Sequence, residues 1–358
     1  MLAITPTPKS DVQQLYNILE TQRPSGSQSE IGFVRTQLLS IKGATQDGYG
    51  NVFVEVLMDQ SSTMFSCHTD TVHPKPHPNY KNNLVIDPMT NHLFTDGKSQ
   101  LGADDGTGIW FMLNMIEAKV PGLYVFHRDE EVGGLGSSAS AEANEDYLTA
   151  LGLKRCVAFD RHYYEDVITH QGGRCASDEF AQALSDQLNI TPGFKFKPCD
   201  TGVFTDSANY THLIPECTNL SVGYWSQHTI KETQDIGFAE KLLDRLLQID
   251  WEALPTERDV TDESYPDDLY GYNERFVVLS DCKYMDIEEI CIEFPEEVAS
   301  ALREINMTDE ELRTMIMDKQ PPKPKHNVFN SPYNGPYDEP IDWDKLYEDP
   351  YNSNKPYY

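Results

Sequence analysis

Five short stretches carry residues able to bind a metal ion and use it. His68 and Asp70 stand two apart in Ser66-Cys67-His68-Thr69-Asp70, at the end of an apolar run with the length of a buried strand, so both side chains are expected on one face. A ligating imidazole usually gives its second N–H to a carboxylate, which fixes the tautomer and raises basicity, and Asp70 is placed to do that for His68. Taken alone, a His-x-Asp pair also describes a local hydrogen bond at a strand end. Asp104 and Asp105 lie in Leu101-Gly102-Ala103-Asp104-Asp105-Gly106, directly before the apolar residues 109–116. Taken alone, they are a helix entrance whose carboxylates favour the positive end of the dipole. Glu130 and Glu131 follow the strand-like residues 123–126 and precede the pair Gly133-Gly134. Adjacent glutamates can divide two roles, one binding a metal and the other moving a proton. Asp160 ends the apolar residues 156–159, and His228 closes Trp225-Ser226-Gln227-His228.

The elements around these stretches must bring them together. Each lies where a strand gives way to a loop or a loop to a helix, and open α/β sheets bind ligands at the carboxyl ends of their strands. Residues 10–20 and 30–41 have apolar spacing near three and four, as helices flanking a sheet do, and residues 178–188 and 236–249 read the same way. Residues 52–57 read as a strand. Residues 74–95, rich in Pro, Asn and His without periodicity, are expected to loop over the site. His73, His77, His92, His127, His162 and His212 are expected to be solvated rather than ligating. The fold class expected is α/β, a mixed sheet sandwiched by helices.

In their order, HTD, GADDG, DEEVGG, FD and a late histidine resemble the co-catalytic zinc exopeptidases of the peptidase T type and their relatives, over most of residues 10–235. The opening segments Arg23-Pro24-Ser25-Gly26 and Asp47-Gly48-Tyr49-Gly50-Asn51 are similar too. The resemblance implies two zinc ions, with cobalt or manganese as substitutes in such a nitrogen and oxygen site. His68, Asp104 and Asp160 would hold one ion, and Asp104, Glu131 and His228 the other, with Asp104 bridging. Glu130 would be the general base and Asp70 the residue that orients His68. The implied activity is hydrolysis of short peptides from one end by water activated between the ions. Asp160 and His228 stand only 68 positions apart, which leaves out the lid or dimerisation domain that related proteins insert there. Carboxypeptidase and deacylase members often depend on that lid, so an aminopeptidase is expected. A carboxypeptidase or amidohydrolase on the same metals, a glutaminyl cyclase, and a non-catalytic metal-stabilised interaction module remain open. Asp206, in a loop similar to a Gly-Thr-Asp-Gly segment of that family, either receives a substrate ammonium or forms a polar turn. His170 and Arg174 are further candidates for binding substrate. Glu232 completes a His-x-x-x-Glu ending that also resembles the family.

Composition narrows the classes. A formal net charge of −30 argues against nucleic acid as a partner. No stretch approaches the length needed to span a bilayer, and no charged and apolar leader opens the chain, so a cytoplasmic protein without a membrane partner is expected. Seven cysteines at scattered spacings do not form a disulfide framework and are expected to be reduced thiols. The expected catalytic domain covers residues 1–251. An acidic linker at 252–270, a small α+β accessory region at 271–320 and a Pro-, Tyr- and Asn-rich tail at 321–358 are expected to follow, the tail being a possible contact for a protein partner.

Overall fold

The computed structural model describes residues 12–261, together with Val298. The strands are β1 (Thr45–Gln46), β2 (Val52–Val56), β3 (Thr63–His68), β4 (Leu84–Ile86), β5 (His92–Thr95), β6 (Gly122–His127), β7 (Arg155–Arg161), β8 (Asp166–Ile168), β9 (Lys197–Cys199), β10 (Glu216–Ser221), β11 (Tyr224–Trp225) and β12 (Thr233–Asp235). The helices are α1 (Val12–Leu19), α2 (Gln28–Phe33), α3 (Ala103–Glu117), α4 (Leu135–Ala143), α5 (Glu145–Ala150), α6 (Asp178–Leu188) and α7 (Ile236–Leu246). Helix α2 runs on into a π-helical turn, Val34–Leu38.

The main sheet has the order β1-β2-β6-β3-β7-β10-β8-β9. Its centre, β6-β3-β7-β10, is parallel, while β2 runs antiparallel to β6 and β8 antiparallel to β10. Strands β3 and β6 are buried along their whole length, as covered parallel strands are, and so is β10. Side chains alternate between two cores. Phe65, Tyr124, Val157 and Leu220 face α1, α3, α6 and α7, whereas Met64, Leu123, Cys156 and Cys217 face Ala141, Leu148 and Tyr210. The expected fold class, a mixed sheet sandwiched by helices, is the fold observed. Helix α3 is apolar on nearly all sides because it is buried: Ile109, Trp110, Phe111, Met112 and Met115 are fully covered.

Between Asp160 and His228 the chain builds β8, α6, β9 and β10 of this same sheet, and no separate domain intervenes among the described residues. A second, antiparallel sheet has the order β11-β12-β5-β4. Strands β4 and β5 therefore occupy part of residues 74–95, where only a loop was expected. Both are too short for alternation to stand out, and β5 is fixed by pairing with β12, about 140 residues further along the chain.

The start of the segment expected to be a linker is instead anchored. Leu254 is buried, the backbone amides of Glu257 and Arg258 donate to Glu216 Oε1 at 2.7 and 3.0 Å, and the Arg258 guanidinium donates to the carbonyls of Thr211, Ile214 and Pro215. These anchors are mostly polar, which is why an apolar pattern did not reveal them. The rest of that segment, the accessory region and the tail lie outside the described residues. No helix among the described residues is long and apolar enough to cross a membrane. Cys67, Cys156, Cys175, Cys199 and Cys217 are free thiols.

Candidate metal centre

Because the four central strands are parallel, their carboxyl ends open at one end of the sheet, and the loops leaving them carry the acids and histidines. His68 is the last residue of β3, Glu130 and Glu131 follow β6, Asp160 is the penultimate residue of β7, and His228 lies in the connection from β11 to β12. Asp104 enters from the first turn of α3, across a cis peptide bond to Asp105. One carboxylate shapes that turn: Glu232 accepts the backbone N–H groups of Leu101, Gly102 and Ala103 at 2.7–2.8 Å and that of Asp104 at 3.3 Å. Glu232 is buried and makes up for the missing intrahelical partners of a helix start. Asp105 points away from Asp104, accepting from Gly108 N at 2.8 Å and His68 N at 3.3 Å.

Two groups of three donors result, His68 with Asp104 and Asp160, and Asp104 with Glu131 and His228. Within each, the ligand-type atoms lie within 4.8 Å of one another. Asp104 belongs to both through different oxygens: Oδ1 is 2.9 Å from His68 Nε2, and Oδ2 is 3.2 Å from His228 Nε2. His68 Nε2 lies 3.7 Å from Asp160 Oδ1, and His228 Nε2 lies 3.1 Å from Glu131 Oε2.

Neighbours fix these donors. Asp160 accepts hydroxyl bonds from Thr205 at 2.6 Å and Tyr224 at 3.1 Å, and its backbone is clasped at both ends by Asn219. Gln100 donates to the carbonyl of His228. Asp70 acts differently from expectation. His68 Nδ1 is 3.0 Å from the Asp70 backbone carbonyl and 3.5 Å from its carboxylate, so the carbonyl orients the ring. The carboxylate instead accepts the backbone amides of Glu130 and Glu131 at 3.1 and 3.2 Å, holding the loop that presents both glutamates.

The electrostatics are those of an anion-rich crevice. Burial alone would raise the Asp104 carboxyl, but the hydrogen bonds from His228 and His68 hold it well below the usual range. Burial would also keep both imidazoles neutral; Asp104, Asp160 and Asp70 around His68, and Glu131 and Asp104 around His228, draw them toward the protonated form. Burial pushes Glu131 up to about 7 against the pull of His228, and pushes Glu130 up as well, reinforced by Asp160, Asp206 and Glu131. Glu131 Oε1 is buried with no hydrogen-bond partner. Divalent cations satisfy such a set, since they neutralise the clustered carboxylates and engage the unpartnered oxygen. Imidazole nitrogens and carboxylate oxygens, three per group, fit a zinc-type ion with a position left open.

The other candidates belong to neither donor group. Asp206 is 1% exposed, with Oδ2 3.4 Å from His127 Nδ1. Burial pushes its carboxyl up to about 8. Its position opens a 3-10 turn, Asp206–Tyr210, that rolls the side chain inward. Arg174 is spent on Asp178, and the His170 ring on the Thr169 hydroxyl. His73, His127 and His162 are buried and not solvated; His73, for example, is held between Thr71 Oγ1 and the Gln100 carbonyl, and burial lowers it to about 4. Glu232, Thr205, Tyr224 and Asn219 were given no role in the site by sequence reasoning. The His-x-x-x-Glu spacing was the signal for Glu232; a hydroxyl or an amide on a remote strand leaves none.

No protein-family model matches the sequence, and no curated protein does. Solved structures do. A tripeptidase from Staphylococcus aureus superposes with a TM-score of 0.55 at 14% identity, over 68% of this chain and 99% of that one. Aminopeptidase PepT from Bacillus cereus gives 0.54 at 14%, over 66% and 96%. An aminopeptidase from the archaeon Desulfurococcus kamchatkensis gives 0.52 at 14%, over 68% and 96%. The chain has the fold of these peptidases.

Proposed function

We infer that the chain is a two-metal aminopeptidase acting on short peptides in the cytoplasm, with zinc the ion that its donors suit best. The observation that carries this reading is the pair of three-donor groups joined through the two oxygens of Asp104. The peptidase fold of the solved neighbours supports it, as does a set of free thiols suited to a reducing compartment. His68, Asp104 and Asp160 would hold one ion, and Asp104, Glu131 and His228 the other. Bound there, the ions supply Lewis acidity, polarising a peptide carbonyl and acidifying water.

The chain's own residues do the rest. Glu130 belongs to neither donor group, so its carboxylate is free to accept a proton from the attacking water and return it to the leaving amine. Burial raises its proton affinity, which strengthens it as a proton acceptor. Asp70 holds Glu130 and Glu131 at adjacent positions through their amides, so that one stays a ligand while the other cycles.

The test is mass spectrometry of short peptides, each supplied free, N-acetylated and C-amidated, with zinc-loaded and metal-stripped protein. Metal-dependent loss of N-terminal residues, blocked by acetylation, is expected. Cleavage blocked by C-amidation would make it a carboxypeptidase, and N-terminal glutamine converted to its cyclic form would make it a cyclase. Glu130→Gln is expected to lower kcat about 10²- to 10⁴-fold with metal content unchanged; full turnover in that variant would remove the general base.

A further inference from the structure

Beside the metal centre the surface turns apolar. Phe204 is 44% exposed and, among the described residues, is the one phenylalanine left exposed. Its position is fixed from two sides. The next residue, Thr205, donates its hydroxyl to Asp160 in the first donor group. The ring itself lies on Gly134, where a Cβ would come within 2.5 Å of ring atoms. Gly134, at φ +63°, is three residues past Glu131 of the second group. Asn209 ties the two loops together, its amide donating to the Gly134 carbonyl at 3.2 Å and to Ser137 Oγ at 2.8 Å. Phe204 therefore reaches from the Asp160 side of the site to the Glu131 side. Val132, next to Glu131, is 53% exposed, and Val203 and Leu135 are about half exposed too.

An exposed aromatic ring forgoes the gain of burial, and here it does so against the loop that presents Glu131, one residue from the hydroxyl that braces Asp160. The geometry points to Phe204, with Val132, as the wall that receives an apolar side chain on the residue whose carbonyl is cut. This rests on the peptidase reading and adds a substrate class to it: peptides beginning with a bulky apolar residue such as Leu, Met or Phe. The wall presents no charge to pair with a basic side chain. A small side chain leaves the ring wet, so each methylene it lacks costs on the order of tenfold in kcat/KM.

The experiment compares the zinc-loaded wild type, Phe204→Ser and Val132→Ser on Leu, Phe, Ala and Lys 4-nitroanilides. Binding of free leucine and alanine to the same three proteins is measured by calorimetry. Wild type is expected to favour Leu over Ala by at least about tenfold, and Phe204→Ser to cut that ratio about tenfold, chiefly through KM. Val132→Ser should cut it less. A Leu-to-Ala ratio unchanged in both variants, or no preference in the wild type, overturns the inference while leaving the peptidase reading standing. If no anilide is cleaved but leucine binds in preference to alanine and Phe204→Ser abolishes that preference, the wall stands and the peptidase reading falls. If neither cleavage nor selective leucine binding occurs, both fall.

Discussion

The two ends of the central strands hold buried charge in opposite ways. At the amino ends, each buried charged group has partners made for it. Arg155, the first residue of β7, donates to Ser62 Oγ, Thr63 Oγ1, Glu252 Oε1 and the Leu254 carbonyl, at 3.1–3.3 Å. Glu216, the first residue of β10, accepts from Ser177 N and Oγ and from the amides of Glu257 and Arg258. At the carboxyl ends, Asp104 raises the proton affinity of Glu131 and Asp160, these two raise that of Glu130, and two histidines hold Asp104 itself low. Apart from the buried Nε of Arg155, the first arrangement finds its partners within the protein, whereas the second calls for cations. Residue type alone would not separate them; what does is whether the partners of a buried charge are donors or more of the same charge.

The contrast is sharpest at Asp104. Asp104→Asn should lower metal content, read by elemental mass spectrometry, and cut peptide turnover more than about a hundredfold. With metal stripped from both proteins, the variant should melt somewhat lower than the wild type, because Asp104 accepts from both His68 and His228. A variant that keeps its full metal content would erase the distinction.

Arg155→Met is the counterpart at the other end. It should destabilise the protein by about 2 kcal/mol in urea, through the acceptors it leaves unpaired, while the folded variant keeps its metal content. Loss of metal in that variant would mean that the two ends are not independent.

Glu252 carries the smallest effect. Its carboxylate accepts from Ser61, Ser62 and Thr63 and faces Arg155. Burial would raise it, yet the hydrogen bonds from Ser62 and the charge of Arg155 bring it from 4.5 down to about 2. A carboxyl depressed by folding contributes stability that is fully present above pH 4.5 and is lost as pH falls toward 2. Glu252→Gln should flatten that acid limb of the stability curve and leave the region above pH 5 parallel to the wild type. An unchanged acid limb would show that Glu252 is not held as the structure draws it.

The legible parts of the sequence were those in which chemistry and element coincide. His68, the pairs Asp104-Asp105 and Glu130-Glu131, Asp160 and His228 could be read as converging on one crevice because they lie where strands and a helix meet loops, while the choice of ligands among them came from the resemblance. The inward turn of Asp206 was not legible, because a 3-10 turn rather than a residue type decides where that carboxylate points. Nor was the division of labour in Asp70, whose carbonyl and carboxylate serve different neighbours. Strands β4 and β5 escaped because their pairing partner β12 lies far along the chain, and the anchoring of residues 254–258 escaped because its acceptors are carbonyls and one buried glutamate.

Glu232 also bears on the order of assembly. Its carboxylate holds the entrance of α3, where Asp104 sits, yet it is nearly 130 residues downstream and only four residues past His228. A ribosome-bound chain ending near residue 200 has His68, Asp104, Glu131 and Asp160, but neither the second histidine nor the clamp that sets the turn around Asp104. Local contacts form before distant ones, so β6, β3 and β7 can pair before the turn around Asp104 is set. That turn waits for the docking of β12, and the donors converge in the order in which the chain is made.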